Sequence, residues 1–231
     1  MLKGPPVTNT DSSKASLLAT LRQQMSEQFP VAHENGTPSP SYSLSANLPN
    51  FPSGALSEVS PAHPASGLSL ILAEILSADL DRSHGEDSSC IVSSLSDNPV
   101  VLIDGQDSFD PSSYDGDSCS RLLWIRCHNS RESLQCCDLL LHDGTLPLLV
   151  LDFLLTPLRE LHRIPSSSWY RLRNLAKKSD TSVLLFTPQH LIPCAALQIS
   201  LNSTFTLSDL EKNRSDLRPT YFHRKMALHH S

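Results

Sequence analysis

The chain has 231 residues, of which 39% are hydrophobic and 18% are charged, and its 17 prolines outnumber its 8 glycines. The length suits one domain with a substantial core, and the proline content indicates that part of the chain lies outside that core. The formal net charge of -6 excludes a general surface for polyanions, so any contact with nucleic acid would be local.

Neither the cysteines nor the apolar segments indicate a secreted or membrane-bound protein. The six cysteines form no C-x-x-C pair and lie mostly in apolar segments, which favours reduced core thiols over disulfides or a zinc site. No apolar run approaches the ~18 residues of a membrane span, and the N-terminus lacks the apolar centre of a signal peptide. We therefore expect a cytoplasmic protein that makes no membrane contact.

The first 53 residues divide into a helix and a linker. Within residues 1–30, helical spacing of apolar residues begins after residue 13 and stops at Pro30; the residues are Leu17, Leu18, Leu21, Met25 and Phe29. This spacing predicts an amphipathic helix that docks on the main body or on a partner. Residues 31–53 are rich in Ser, Pro and Asn, and such a segment buries too little apolar surface to offset the entropy of ordering, so we expect a linker.

Residues 54–201 are predicted to form an α/β core, followed by a flexible tail at 202–231. Strands are expected at 54–59, 100–104, 122–126, 146–152, 182–187 and 194–201, and helices at 67–76, 130–142 and 166–179. This alternation predicts a parallel sheet flanked by helices, with right-handed crossovers. The strand before Asp152 is apolar on both faces, so it belongs in the middle of the sheet, and its final carboxylate lies where open α/β sheets bind ligands.

The segment from Ala62 to Ser69 has the outline of a phosphate-binding loop. The working pattern is G-x-x-x-x-G-K-[ST], in which backbone N–H groups and a lysine hold phosphate and a hydroxyl holds magnesium. Here Gly67 and Ser69 remain, whereas Ala62 stands for the first glycine and Leu68 for the lysine. Tight binding of ATP through this loop is therefore not expected, and taken alone the segment also fits an ordinary turn between a strand and a helix.

The order of several further segments resembles the RecA recombinase family. Residues 100–111 resemble the strand that ends in a catalytic glutamate before an Asp-Pro turn, and Gln106 stands in the place of that glutamate. Residues 122–152 resemble the family's strand, its helix with a Glu-x-Leu-x-x-x-Asp pattern and the strand that ends in an aspartate, here Asp152. Residues 184–189 resemble the strand whose last glutamine, here Gln189, senses the γ-phosphate.

The missing lysine and glutamate make the chain similar to RecA-like accessory proteins of the ImuA type, sometimes grouped with the SulA cell-division inhibitors. These proteins carry an N-terminal helix that ends in a Phe-Pro pair, as Phe29 and Pro30 do here. The resemblance implies a RecA-like sheet with a degenerate P-loop core. It implies no catalytic residue, because the amide of Gln106 cannot accept a proton from water, and no metal or bound cofactor. The degenerate ATP site would comprise Ser66, Gly67, Ser69, Asp152 and Gln189.

What the resemblance further implies is a role in the DNA damage response. The partners would be a non-catalytic relative of the Y-family polymerases and a replicative-type polymerase, acting together in translesion synthesis. One alternative is a nucleotide-dependent DNA-binding protein that self-associates and takes its phosphate-binding lysine from elsewhere, from Lys177 or a neighbouring subunit. A second alternative is a SulA-like inhibitor of cell division.

Two clusters of polar residues have competing interpretations. Basic residues surround two aromatic residues after the central strand: Arg159, Arg163, Arg171, Arg173, Lys177 and Lys178, with Trp169 and Tyr170. They could contact DNA, but a solvated helix face is favoured, and the adjacent aromatic residues cannot share one face. Asp104, Asp107 and Asp110 could bind a metal, but beside a proline they are more typical of turn-capping residues.

Overall fold

The computed structural model describes residues 51–77, 99–114 and 116–226, together with Thr20 and Gln23. The helix predicted between residues 13 and 29 and most of the predicted linker lie outside the described residues.

Seven strands form one sheet in the order β3-β2-β4-β5-β1-β6-β7. The strands are β1 (Leu56–Pro61), β2 (Val100–Asp104), β3 (Leu122–Arg126), β4 (Leu148–Asp152), β5 (Ser182–Phe186), β6 (Leu197–Leu201) and β7 (Tyr221–Met226). Every pairing is parallel except that of β6 with β7. The register sets Asp104 beside Asp152 and Asp152 beside Phe186, so β2, β4 and β5 end at the same level.

Five α-helices and three short 3-10 turns connect the described strands. The helices are α1 (Leu68–Ser77), α2 (Gly116–Cys119), α3 (Ser130–Asp143), α4 (Leu158–Leu161) and α5 (Ser166–Ser179). The turns are Pro111–Ser113, Leu207–Glu211 and Arg214–Asp216. Local chemistry fixes both ends of α3: Asn129 Oδ1 accepts the N–H of Glu132 at 2.9 Å, and Gly144 takes a left-handed φ of 71° after the last turn.

The sheet separates two apolar clusters. Helices α3 and α5 cover one face together with Ile192 and Ala195, and α1 covers the other. Strand β4 contributes to both clusters, with Leu149 and Leu151 on the first face and Leu148 and Val150 on the second. Burial on both faces explains why its sequence is apolar at every position.

The predicted parallel α/β sheet flanked by helices is confirmed, and β2, β3 and α5 have the predicted bounds. The other predicted strands and helices differ by one to three residues at their ends, and two limits of the folded core also differ. Phe51 is 1% exposed and belongs to the cluster under α1, so the folded body begins before residue 54. The segment after β6 is not a frayed tail as far as residue 226, because it forms two 3-10 turns and the antiparallel strand β7. Among the described helices, none has the length and apolarity needed to cross a membrane.

Candidate functional site

The predicted ATP-site residues lie along the carboxyl edge of the sheet. The loop after β1 contains Ser66 and Gly67, β4 ends in Asp152, and Gln189 follows β5, which lies between β1 and β4. The strands β1 and β4 are therefore about 10 Å apart, at two strand spacings. The chain leaves β1 towards α1 on one face and leaves β4 and β5 towards segments on the other, and ligands of open α/β sheets bind at such a point.

The loop between β1 and α1 is closed by its own hydrogen bonds. The buried Ser66 hydroxyl donates to the His63 carbonyl at 2.7 Å and accepts the His63 N–H at 3.1 Å. The Ser66 N–H donates to the same carbonyl at 3.1 Å, and the Ala62 N–H donates to Leu201 at 2.7 Å. Pro64 has no N–H to offer. The N–H groups of Ala62, His63 and Ser66 are thus already used within the fold.

Apolar side chains lie at the lysine position of the loop and against Gly67. Gly67 has a φ of +88°, and a Cβ placed there would lie 2.8 Å from Cε2 of the Phe205 ring. Leu68, which stands at the lysine position, is 8% exposed and belongs to the core cluster with Val59 and Ile71. Ser69 is exposed. The residues present therefore do not fit a nucleoside triphosphate.

Phe205 belongs to a segment that crosses the carboxyl edge, residues 202–220, which we call the strap. At its far end the Arg214 guanidinium donates to the Ser113 carbonyl and lies 4.7 Å from the centre of the Tyr114 ring, at the end of the 3-10 turn between β2 and α2. The strap returns to β6 where the Thr220 N–H donates to Ser203 Oγ at 2.7 Å. It thus runs from β6 past the loop after β1 to the turn after β2.

Sequence analysis missed the strap, although one local signal was present. The side chain of Thr206 caps the 3-10 turn at Leu207–Glu211, and the Thr206 N–H donates to Asp209 Oδ2 at 2.7 Å. This reciprocal arrangement is a capping box, whose Thr-x-x-Asp spacing can be read in a sequence. It marks residues 206–209 as the start of an ordered turn.

Asp104, at the end of β2, is fully buried and surrounded by donors. Its two oxygens accept the N–H groups of Ser108 and Phe109 at 2.9 Å each, the Gln106 N–H at 3.3 Å and the Trp124 indole N–H at 3.3 Å. Burial alone would raise the pKa of Asp104, but these donors outweigh it, and the pKa lies below its usual value. Asp104 therefore holds the turn after β2 as an anion.

Asp152, beside it at the end of β4, has a poorer set of donors. Its Oδ1 accepts the Leu154 N–H at 2.8 Å, and its Oδ2 lies 3.4 Å from the Ser108 hydroxyl. Burial raises the pKa of Asp152 to about 6, the Leu154 N–H lowers it, and the nearby charge of Asp104 raises it again. A carboxyl with this pKa is partly protonated in mildly acidic solution, which makes it a weaker magnesium ligand there.

The two glutamines carried over from the resemblance lie in different surroundings. Gln106 is half-buried and uses its backbone N–H to help hold Asp104. Gln189 is exposed, and its Nε2 lies 3.4 Å from Nε2 of His162, which follows α4. Gly105 allows close approach of β2 and β4, because a Cβ there would lie 2.8 Å from the Asp152 carbonyl oxygen.

The other two aspartates of this region have structural partners. Asp107, with a φ of 56°, pairs with Arg126, whose Nε donates to its Oδ1 at 2.6 Å. Asp110 caps the 3-10 turn at Pro111–Ser113 by accepting the Ser112 N–H at 3.0 Å. Within the described ranges, no group of three or more His, Cys, Asp or Glu is placed to hold a metal. The turn-capping interpretation is confirmed for Asp104 and Asp110, and Asp107 instead forms an ion pair.

A buried glutamate in β1 is the polar residue that sequence analysis missed. Glu58 is fully buried and accepts the Leu191 N–H at 2.7 Å, the Gln198 amide at 2.7 Å and the Thr187 hydroxyl at 3.0 Å. His190 Nδ1 lies 3.4 Å from it. Glu58 joins β1, β6 and the segment after β5, and the signal in the sequence was a charged residue inside a strand pattern.

Two arginines of α5 have structural partners on the described surface. Trp169 is buried and makes an edge contact with Phe153 at 6.3 Å between ring centres, whereas Tyr170 is exposed beside the Arg173 guanidinium. Arg171 forms two hydrogen bonds with Asp138 of α3, at 2.6 and 3.0 Å. Trp169 thus faces the core, as the solvated-face interpretation predicts, whereas Tyr170 faces outward, against that prediction.

A groove of about 980 Å³ lies between α3 and α5. Its lining combines apolar residues with a charged rim that includes the Arg171 and Asp138 pair, and residues at its floor and sides include Leu134, Leu139, Ile164, Pro165 and Leu172. The groove is separate from the carboxyl-edge loop and faces outward from the two helices.

Comparison with known proteins does not place the chain in a family. It matches no model of a protein family, and a search of curated proteins finds no match.

Proposed function

We propose that the chain is a non-hydrolysing RecA-like accessory protein of the DNA damage response, which acts in translesion synthesis by contacting other proteins. The observation that carries this proposal is the position of Leu68. It occupies the lysine place of the phosphate loop, and its side chain is buried in the core under α1. A loop with a buried leucine at the lysine position can have the shape of a nucleotide-binding loop without the positive charge that binds phosphate.

The sheet order supports the RecA-like part of the proposal. One strand, β5, lies between the strand before the loop and the strand that ends in Asp152. The loop, Asp152 and Gln189 consequently share one edge, which is the arrangement that the resemblance requires of a nucleotide site. The same edge carries Gln106 where hydrolysis would need a base.

Two further features favour an inactive site over a nucleotide-dependent one. The strap places Phe205 against Gly67, so apolar surface fills the space beside the loop. Lys177 cannot supply the missing charge within its own chain, because its Cα lies against Gly54, before β1 begins. Strand β1 is about 17 Å long, and Lys177 is therefore at the opposite edge of the sheet from the loop.

Turnover of ATP tests the enzymatic part of the proposal. We expect the purified full chain to hydrolyse ATP at the background rate in the presence of magnesium, and Asp152→Ala to leave that rate unchanged. Turnover above background that disappears in Asp152→Ala would contradict the proposal.

Co-purification tests the partner part. With the full chain as bait in cells exposed to a DNA-damaging agent, we expect recovery of a Y-family polymerase relative and a replicative-type polymerase. A matched bait without residues 1–30 shows whether the predicted amphipathic helix supplies the contact. Recovery of a cell-division GTPase in place of the polymerases would favour the SulA-like alternative.

A further inference from the structure

Two cysteines face each other between β3 and α3. Cys127 follows β3 directly, and Cys136 lies in the second turn of α3; their sulfur atoms are 3.9 Å apart. Cys127 is 3% exposed, whereas Cys136 is partly exposed. A small reagent in solution can therefore reach Cys136 first, with Cys127 next to it in the protein interior.

The two thiols differ in acidity because they share a hydrogen bond. The Cys127 S–H donates to the Cys136 sulfur, which lowers the pKa of Cys136. The same hydrogen bond and burial raise the pKa of Cys127. A partly exposed thiol of lowered pKa beside a protonated second thiol is the arrangement found at redox-sensitive cysteine pairs.

We propose that Cys127 and Cys136 form a reversible disulfide when the chain meets a peroxide. The Cys136 thiolate attacks one peroxide oxygen, the O–O bond breaks, and a sulfenic acid and hydroxide form. The Cys127 thiol then attacks the sulfenic sulfur, the S–S bond forms, and the S–O bond breaks with release of water, which takes the Cys127 proton. The two sulfurs lose two electrons and the peroxide gains them; a dithiol reductant reverses the step.

The geometry requires only a small adjustment to close this bond. A disulfide brings its sulfurs to about 2.05 Å, so the two atoms must approach by about 1.9 Å. Cys127 lies in the connection between β3 and α3 and not within either element. Rotation of the two side chains, with a shift of this connection, can supply the movement.

The neighbouring Cys137 does not compete for the bond. It is fully buried in the cluster under α3 and α5, and burial raises the pKa of its thiol. It is also adjacent in sequence to Cys136, and adjacent cysteines rarely form a disulfide without strain. Cys127, whose sulfur lies 3.9 Å from that of Cys136, is therefore the partner for the bond.

The disulfide would connect oxidation to the groove between α3 and α5. It would tie the first two turns of α3 to the end of β3, and these turns line the groove through Arg131, Leu134 and Gln135. Closing the ring of residues 127–136 restricts the movement of that wall, since it adds a covalent constraint across the start of the helix.

Peptide mapping of the full chain tests the proposal. The reduced protein is treated with stoichiometric hydrogen peroxide, its remaining thiols are alkylated, and the digest is analysed by mass spectrometry. We expect a linked peptide pair that joins Cys127 to Cys136, lighter by two hydrogen atoms, which disappears after treatment with dithiothreitol. Peroxide treatment that leaves both thiols free to react, oxidises Cys136 to sulfinic acid without a link, or joins either residue to a different cysteine overturns the proposal.

Three variants assign the roles of the two sulfurs. Cys136→Ser should abolish the link, Cys127→Ser should leave a sulfenic acid on Cys136 that dimedone traps, and Cys194→Ser should retain the link as the matched control. Trapping on Cys127 in the Cys136→Ser variant at the rate seen for Cys136 would contradict the assigned order. Circular dichroism checks that each variant folds, and the wild-type peptide map decides the pairing if one does not.

Discussion

The loop after β1 and the turn after β2 lie at the same edge of the sheet, yet they use their residues in opposite ways. In the loop, Leu68 stands at the lysine position of the phosphate-loop pattern and is buried. The Phe205 ring lies in the space beside Gly67. In the turn, the buried Asp104 keeps its charge and accepts four N–H groups. This edge therefore carries polar groups that support the backbone of the turn, whereas apolar side chains pack at the loop.

The largest expected effect is the loss of Asp104. Asp104→Ala leaves several buried N–H donors without an acceptor, so we expect the free energy of unfolding to fall by about 3–5 kcal/mol. Urea denaturation monitored by circular dichroism measures the change. Asp110→Ala, which removes an exposed cap in the same turn region, is the matched control and should cost much less. Equal losses in the free energy of unfolding would show that the buried hydrogen bonds of Asp104 stabilise the fold no more than the exposed cap of Asp110 does.

A lysine introduced at position 68 should destabilise the fold and bring no nucleotide binding. Leu68→Lys places a charge where a buried leucine packs, and we expect a loss of about 2–4 kcal/mol of stability. The melting temperature should stay the same with and without magnesium and ATP. A rise in melting temperature on addition of nucleotide would mean that the lysine alone restores the site.

The contributions of Asp152 and Asp104 to stability should change with pH in opposite directions. Because folding raises the pKa of Asp152 to about 6, its favourable contribution is complete below pH 4 and is lost as the pH rises through 6. The shift corresponds to about 3 kcal/mol at most. Asp152→Asn should remove this part of the pH dependence, and denaturation between pH 4 and 7 measures it.

The lowered pKa of Asp104 affects the stability of the fold in more acidic solution than the raised pKa of Asp152 does. Its contribution is present above the usual pKa of an aspartate and is lost as the pH falls through the lower folded value. Asp104 therefore serves as the internal comparison for Asp152. A wild-type stability curve that Asp152→Asn leaves unchanged between pH 4 and 6 would contradict the environment described for Asp152.

The smallest effect concerns the contact between Gly67 and Phe205. Gly67→Ala should cost about 1–2 kcal/mol, because a side chain at this positive φ is strained and its Cβ meets the ring. In a Phe205→Ala background only the backbone strain remains, so the same substitution should cost less. A double-mutant cycle by urea denaturation measures the coupling, and additive losses would show that the ring does not press on the loop.

The parts of the fold that the sequence could predict are those fixed by local pattern. Strands β2 and β4 are apolar at consecutive positions because both faces are buried, and α5 begins directly after Pro165. The carboxyl-edge position of Asp152 follows from the strand that it ends. These signals depend on residues within one element.

The parts that could not be predicted depend on contacts between distant residues. Glu58 is stabilised by donors from Thr187, Leu191 and Gln198, and no local pattern shows that a charged residue in a strand will find them. The strand β7 contains charged residues and pairs with β6 at the end of the sheet, so it lacks the apolar run of an interior strand. The strap escaped prediction for the same reason, since Phe205 and Arg214 reach partners far away in the sequence.

Calorimetric titration of the full chain with magnesium and a non-hydrolysable ATP analogue tests most directly whether the loop after β1 binds nucleotide. We expect no saturable heat up to millimolar nucleotide, for the wild-type chain and for Asp152→Ala alike. Saturable binding by the wild-type chain that is lost in Asp152→Ala would contradict it, because the loop would then open to hold phosphate beside that carboxylate.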